Sequence, residues 1–153
     1  MHQNLFTMNQ TISFSFADKK HMDAAFAIRQ KVFVEEQMVD KREEYDEFEV
    51  SSIHYLAFVN DRPVGTARWR ITGDGIKLER FAVLKEFRNA KAGRSILMKV
   101  LEDVRPLGKK IYLNAQVTAM NFYRREGFVA EGELFVEANI DHYKMVLPPN
   151  HHF

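Results

Sequence analysis

Arg88, Lys91 and Arg94 recur at three-residue spacing in a segment that leads out of an apolar strand pattern and into an apolar helix pattern. A loop that enters a helix N-terminus presents N–H groups with no intrahelical partner, at the positive end of the helix dipole. Such a place suits an anion, a pyrophosphate above all. The same residues also fit an ordinary strand–helix connection with solvated basic side chains, and spacing alone does not separate the two. Other reactive residue types carry less. His21, His54 and the terminal pair His151-His152 read as structural or surface histidines, and no histidine pair has ligand spacing within a folded segment, so no metal is expected. The run Glu43-Glu44-Tyr45-Asp46-Glu47 reads as a solvated face. Cysteine is absent, which removes disulfides, thiolate metal sites and cysteine nucleophiles together.

The elements that must position this loop follow from periodicity. Ile12, Phe14 and Phe16 alternate with small polar residues and predict a strand over 11–16. Asp18 is a candidate N-cap for a helix over about 20–34, with Met22, Ala25, Phe26, Val32 and Phe33 on its apolar side. Residues 41–49 form a short exposed helix or a loop. Strands over 53–59 and 64–71 are joined by the turn Asn60-Asp61-Arg62-Pro63, and Gly73-Asp74-Gly75 turns the chain into a third strand over 76–83. The period then changes. Ile96, Leu97, Val100, Leu101 and Val104 make a helical stripe that Pro106 stops. Residues 111–114 predict a strand, and residues 118–125 a short helix with Thr118 as cap and Gly127 as terminator. Strands over 128–130 and 142–147 complete a mixed α/β (α+β) order.

Composition sets the class. The chain has 153 residues, 46% hydrophobic and 28% charged, as in an ordinary globular domain, and neither disorder nor a fibrous class fits. One domain over 1–153 is expected, with residues 1–10 and 148–153 as flexible tails. Lys and Arg number 22 against 21 for Asp and Glu, so a strongly basic nucleic-acid binder is excluded. No stretch has the ~18 continuous apolar residues of a membrane span, and the N-terminal segment lacks the pattern of a signal peptide. The cysteine-free composition fits a reducing, cytoplasmic setting.

The layout resembles the GNAT superfamily of N-acetyltransferases, whose acetyl-CoA motif runs Arg/Gln-x-x-Gly-x-Gly/Ala. Here it becomes Arg88-x-x-Lys91-x-Gly93. The resemblance extends from about Ile12 to Leu147. It includes Arg29-Gln30-Lys31-Val32-Phe33-Val34-Glu35-Glu36-Gln37, Leu78-Glu79-Arg80-Phe81-Ala82-Val83 and Asn121-Phe122-Tyr123-Arg124-Arg125-Glu126-Gly127-Phe128. Asn114-Ala115-Gln116 and Glu137-Ala138-Asn139-Ile140-Asp141-His142 are similar to the small bacterial branch of ElaA-like and YjcF-like proteins. One departure matters. Lysine stands at 91 where the family usually places glycine, and a left-handed backbone there costs ~1 kcal/mol or more.

The resemblance implies a mixed central sheet of about six to seven strands with a V-shaped splay, flanked by about four helices. It implies acetyl-CoA as donor and a small-molecule or peptide amine as acceptor, attacking directly, with no membrane or nucleic-acid partner; a homodimer is a common assembly among such domains. Carried over by position, Phe81, Ala82 and Val83 would pair with the pantetheine arm, Asn121 would hydrogen-bond it, and Arg88, Asn89, Ala90, Lys91, Ala92, Gly93, Arg94 and Ser95 would hold the phosphates. Tyr123 takes the place of the general acid for the leaving thiolate; otherwise it is a packing aromatic. Glu79 takes the place of the base that accepts the amine proton; otherwise it is a salt-bridged strand glutamate. Glu36, Gln37, Asn114, Gln116, Glu137 and His142 would line the acceptor side.

Two other functions share these features. Acyl-homoserine-lactone synthesis uses this fold and an Arg-x-x-Val-Phe start, but those enzymes carry a tryptophan-bearing N-terminal segment, and Trp69 is the sole tryptophan here. A non-catalytic CoA-binding module fits the departure at Lys91, and retention of Glu79 and Tyr123 speaks against it.

Overall fold

The computed structural model describes residues 8–149. Residues 1–7 and 150–153, with His151 and His152, lie outside the described residues. The sheet starts earlier than alternation predicts: β1 is Met8–Phe14, so residues 8–10 belong to a strand. Phe16, placed in that strand by its sequence, stands outside it.

Helix α1 (Lys19–Arg29) opens on Asp18, whose carboxylate accepts from the His21 N–H and also bonds the His21 ring. From Gln30 to Glu36 the same helix widens into a π turn, with the Gln37 N–H reaching back to the Val32 carbonyl at 3.0 Å. π turns are rare and cluster at functional sites. A four-residue helix, α2 (Lys41–Glu44), follows. Strands β2 (Ile53–Val59), β3 (Arg62–Thr72) and β4 (Gly75–Val83) form the meander. Gly75 is required where it stands: a Cβ there would lie 2.3 Å from the Lys110 carbonyl oxygen.

A 3₁₀ turn, Lys85–Ala90, leads to α3 (Ala92–Val104). The predicted stripe of Ile96, Leu97, Val100, Leu101 and Val104 is wholly buried against the sheet. Tyr55 locks it there, donating to Asp103 on α3 at 2.8 Å while accepting from the Trp69 indole. β5 (Ile111–Gln116) precedes a 3₁₀ turn and α4 (Met120–Arg124). No side chain caps α4, so Thr118 does not have the predicted role. Gly127 ends it at φ +98°.

β6 (Val129–Glu137) and β7 (Ile140–Leu147) form a hairpin longer than predicted, turned by Ala138 and Asn139 at φ 52° and 62°. Seven strands make one sheet in the order β1-β2-β3-β4-β5-β7-β6. Only β4 and β5 run parallel, and they pair over three residues, Ile76–Leu78 with Ile111–Leu113. Beyond Leu78 the two strands part. No helix among the described residues is long and apolar enough to cross a membrane.

Candidate functional site

The parting of β4 and β5 opens a cleft of about 580 Å³. Its apex is the last paired couple, Leu78 and Leu113. One arm is β4 from Glu79 to Val83; the other is β5 from Asn114 to Gln116. The end of the π turn, α2 and the β6–β7 turn wall it in through Gln37, Glu43 and Glu137.

β4 carries a bulge at this place. Glu79 pairs with Arg68 and Ala82 with Thr66, so Arg80 and Phe81 face Ala67 alone. Arg80 takes a left-handed backbone, φ 60°, a strained state for a non-glycine residue. Its side chain is tied down by the Glu44 carbonyl at 3.2 Å and the Asp46 carboxylate at 3.1 Å. The bulge leaves Phe81 edge-on to Tyr123, ring centroids 5.9 Å apart.

At the far end of β4, Lys91 is the N-cap of α3 in the left-handed region, φ 63° and ψ 18°, as its motif position implies. No side chain caps this helix, and its first intrahelical bond runs from the Ser95 N–H to the Lys91 carbonyl. The helix start thus leaves the N–H groups of Gly93 and Arg94 without an intrahelical partner, with Ala92 enclosed behind them, an arrangement that suits an anion such as a pyrophosphate. Arg94 is exposed beside it, 3.3 Å from Glu126. Arg88 is occupied: its guanidinium forms two 2.7 Å bonds with Glu36 and donates to the Val83 carbonyl at 3.1 Å. Glu36, expected on the acceptor side by resemblance, is paired with Arg88 of the 88–95 loop and is not among the residues that line the cleft. Ser95 bonds Thr11 at 2.8 Å, and Asn121 is exposed, accepting from Arg124. Asn89 and Ala90 lie in or beside the 3₁₀ turn, with side chains outside the described set.

Tyr123 lines the cleft, enclosed by Phe81, Phe122 and Phe128, and its hydroxyl has no hydrogen-bond partner among the described residues. Burial pushes its phenol pKa up, so it stays protonated. Gln37 and Gln116 meet across the cleft at 2.8 Å. His142 also lines it, buried and stacked on Phe135, with Nδ1 donating to the Ile140 carbonyl at 2.7 Å. That bond leaves Nε2 as the acceptor nitrogen of the neutral ring. Asn114 and Glu137 are lining residues as well.

Glu79 sits in company that sequence reasoning missed. Its Oε1 accepts from Arg70 at 2.5 Å and Arg68 at 3.1 Å, while Lys77 and Arg80 stand 3.6 and 3.8 Å from Oε2. Burial disfavours its ionised form, but the Arg68 charge and the three other cations outweigh that and hold its pKa below the ordinary value. Arg68 is fully enclosed and also pairs with Asp46 and Glu49; Arg29, equally enclosed, pairs with Glu44 and Glu49. The run 43–47 is thus only in part a solvated face: Glu43 and Glu47 are exposed, and the others are not. Glu44 is buried and Asp46 half-buried, because they neutralise arginines under the cleft. The signal was present in parity: Arg68, Arg70, Lys77 and Glu79 share one face of two paired strands.

Residues 16–148 match the family model described as an acetyltransferase (GNAT) domain. The "Uncharacterized N-acetyltransferase YjcF" of Bacillus subtilis is 39% identical over 132 residues, which cover 84% of this chain and 94% of the relative. The crystal structure of Escherichia coli ElaA superposes with a TM-score of 0.82 at 26% identity, over 92% of this chain and all of that one. An acyl-CoA N-acyltransferase from Pseudomonas aeruginosa gives 0.81 at 23% identity, over 93% of this chain and all of that one.

Proposed function

The chain belongs to the GNAT acetyltransferases, acyl-CoA-dependent N-acyltransferases, and on that premise we propose that it moves an acetyl group from acetyl-CoA to a primary amine by direct attack. The observation that carries this reading is the V itself. An unpaired strand edge over 79–83 runs from an uncapped helix N-terminus to a cleft that holds a protonated phenol.

Acetyl-CoA, when bound, supplies a thioester carbonyl open to a neutral amine. The N–H groups of Gly93 and Arg94 hold its pyrophosphate, and Lys91 and Arg94 add charge. The free edge of β4 takes the pantetheine amides as an added strand, and an N–H of that edge polarises the carbonyl. Val83 enters this pairing with its carbonyl already engaged by Arg88. Tyr123 donates a hydrogen bond to the departing sulfur, for which a phenol kept protonated by burial is suited.

The amine must first lose a proton, and magnitudes decide where it goes. An alkylammonium near ~10.4 and even an unperturbed glutamate near ~4.3 differ by about six pKa units, an uphill transfer of roughly 8 kcal/mol. Release to water at pH 7 costs only about 4.6 kcal/mol. Glu79, whose pKa lies lower still and whose charge is taken up by Arg68, Arg70, Lys77 and Arg80, is therefore a fixed anion and not the terminal proton acceptor. Imidazole is the side chain suited to pass protons near neutrality, and His142 offers Nε2 in the cleft, one strand from the Gln116 arm. We assign it the relay to solvent.

The test is thiol release from acetyl-CoA across polyamines, amino acids, aminosugars and peptides. With an accepted amine, Tyr123→Phe lowers turnover by roughly 10²-fold and leaves acetyl-CoA affinity intact. Undiminished turnover assigns Tyr123 to packing. His142→Gln lowers turnover more than Glu79→Gln does; the reverse result returns the base to Glu79. CoA binding with no turnover on any amine makes the chain a CoA-binding module.

A further inference from the structure

We propose that the acceptor carries a carboxylate, held near the apex of the V by Arg70 and Lys77, about five bonds from the amine that is acetylated. This rests on the transferase reading above and names its substrate class.

The buried charges under the cleft form one connected network, and they do not balance. Its cations are Arg29, Arg68, Arg70, Lys77 and Arg80; its carboxylates are Glu44, Asp46, Glu49 and Glu79. The five against four are also unevenly shared. Arg29 engages two carboxylates, and Arg68 and Arg80 three each. Arg70 and Lys77 have Glu79 alone, and Glu79 already serves four cations with two oxygens.

The donors left over are directed. Arg70 uses only Nε toward Glu79, and its terminal nitrogens make no hydrogen bond to any described residue. Lys77 Nζ approaches Glu79 at 3.6 Å, beyond hydrogen-bond reach. Both side chains line the cleft, 16% and 18% exposed, so the surplus charge lies in a partly dried place where an ion is held more strongly than in water. Arg70 is also clamped, its guanidinium carbon 3.8 Å from the Phe48 ring centroid, which fixes the fork before any ligand arrives. Lys144, on the same face, makes the contrast: Asp74 at 2.7 Å and Glu131 at 3.4 Å satisfy it.

Within the network the surplus is one charge, Glu43 and Glu137 on the cleft wall being exposed to solvent, and an arginine fork beside a lysine suits a carboxylate monoanion. A phosphomonoester, nearly dianionic at neutral pH, would overcompensate. Geometry adds a length. Lys77 Nζ lies level with Glu79, and Phe81, beside the Tyr123 hydroxyl-bearing ring, is two residues further on across the bulge, about 5–7 Å. Amine and carboxylate at that separation are about five bonds apart. An ω-amino acid, a lysine side chain with its own carboxylate or a dipeptide meets this; the α-amine of a single amino acid does not.

The test compares 5-aminopentanoate with 5-aminopentanamide, which share the amine and differ in charge. The acid should have a kcat/KM about ten- to a hundredfold above the amide, and glycine should be a poor acceptor. Lys77→Met should bring the acid-to-amide ratio toward one, and Arg70→Lys, which keeps the charge and loses the fork, should lower it partway, so that one misfolded variant does not decide the matter. Equal rates for acid and amide in the wild type overturn the proposal while leaving the transferase reading intact. Preference for 4-aminobutyl phosphate over the acid also overturns it, in favour of a dianion. If no amine is acetylated, the transferase reading is what fails. Calorimetric titration of the CoA-loaded protein with the same pair then decides the carboxylate site: acid-selective binding lost in Lys77→Met supports it, and equal or absent binding overturns it.

Discussion

At the 88–95 loop the groups offered to a ligand are backbone N–H groups, and the basic side chains around them stand in water, Arg88 40% and Arg94 62% exposed. On the floor of the cleft the groups offered are side chains, and those behind them are dry: Arg68 is 0% and Glu79 8% exposed. The first arrangement needs only a strand, a turn and a helix in the right order. The second needs α1, α2 and the segment after it to come against the sheet face and supply Glu44, Asp46 and Glu49 as counter-charges. A backbone site tolerates changes of side chain; a buried network makes each member depend on the others.

The comparison is broken or upheld most directly by cutting one member from each region. Arg68→Met leaves Asp46, Glu49 and Glu79 without their shared guanidinium and should cost about 3–5 kcal/mol, the range for breaking a buried ion pair from one side. Arg88→Ala cuts a solvent-exposed pair with Glu36 and should cost about 0–1 kcal/mol. Urea unfolding reads both. Similar losses would mean that the floor is no more cooperative than the loop.

Acid should separate the regions again, by a smaller amount. Burial disfavours ionisation of Asp46, but the Arg68 hydrogen bond and charge prevail and bring its carboxyl down to about 2. Its folded pKa lies below the unfolded ~3.9, so the stabilisation is complete above about pH 4 and is lost as pH falls toward 2. Glu49 and Glu79 are lowered in the same sense. With allowance for the partial exposure of Asp46, its share is about 1 kcal/mol. Thermal melts between pH 2 and 5 should show this slope, and Asp46→Asn should flatten it. An unchanged slope would place the acid-sensitive groups elsewhere.

The same contrast governs what could be read from the sequence. The α3 stripe, the meander and the strand–turn–helix order around 88–95 were legible because each depends on local order, and Lys91 was legible as a strained position because one motif place demands a left-handed backbone. β6 was read only at its start: Val129, Leu134 and Val136 are exposed, so the edge strand lacks a buried face to create alternation. Arg68 and Arg70 look like solvent residues in a strand until residues 46–49 are placed over them. Glu36 and Arg88, 52 residues apart, carry no mark of meeting. Burial of a charge is a property of the assembled layers, and local pattern does not contain it.

The smallest expected effect sharpens the donor side. Lys91 holds φ 63° with no side-chain cap, and among the described residues its ammonium has no hydrogen bond or ion pair that would repay the strain. A non-glycine residue in this region costs about 1–2 kcal/mol, while glycine loses about 0.5–1 kcal/mol more chain entropy on folding. Lys91→Gly should therefore stabilise the protein by roughly 0.5–1 kcal/mol, a rise of about 1–4 °C in Tm for a domain of this size. Lys91→Ala keeps the Cβ and the strain, so it should bring no such gain. For CoA the order reverses in part: both variants lose a positive charge and should show a weaker salt dependence of binding. Only Lys91→Gly frees the backbone to approach the phosphates closely, and it should bind CoA more tightly than Lys91→Ala. Equal stability and equal affinity of the two variants would show that the backbone at 91 bears no strain, and that the lysine acts through its charge alone.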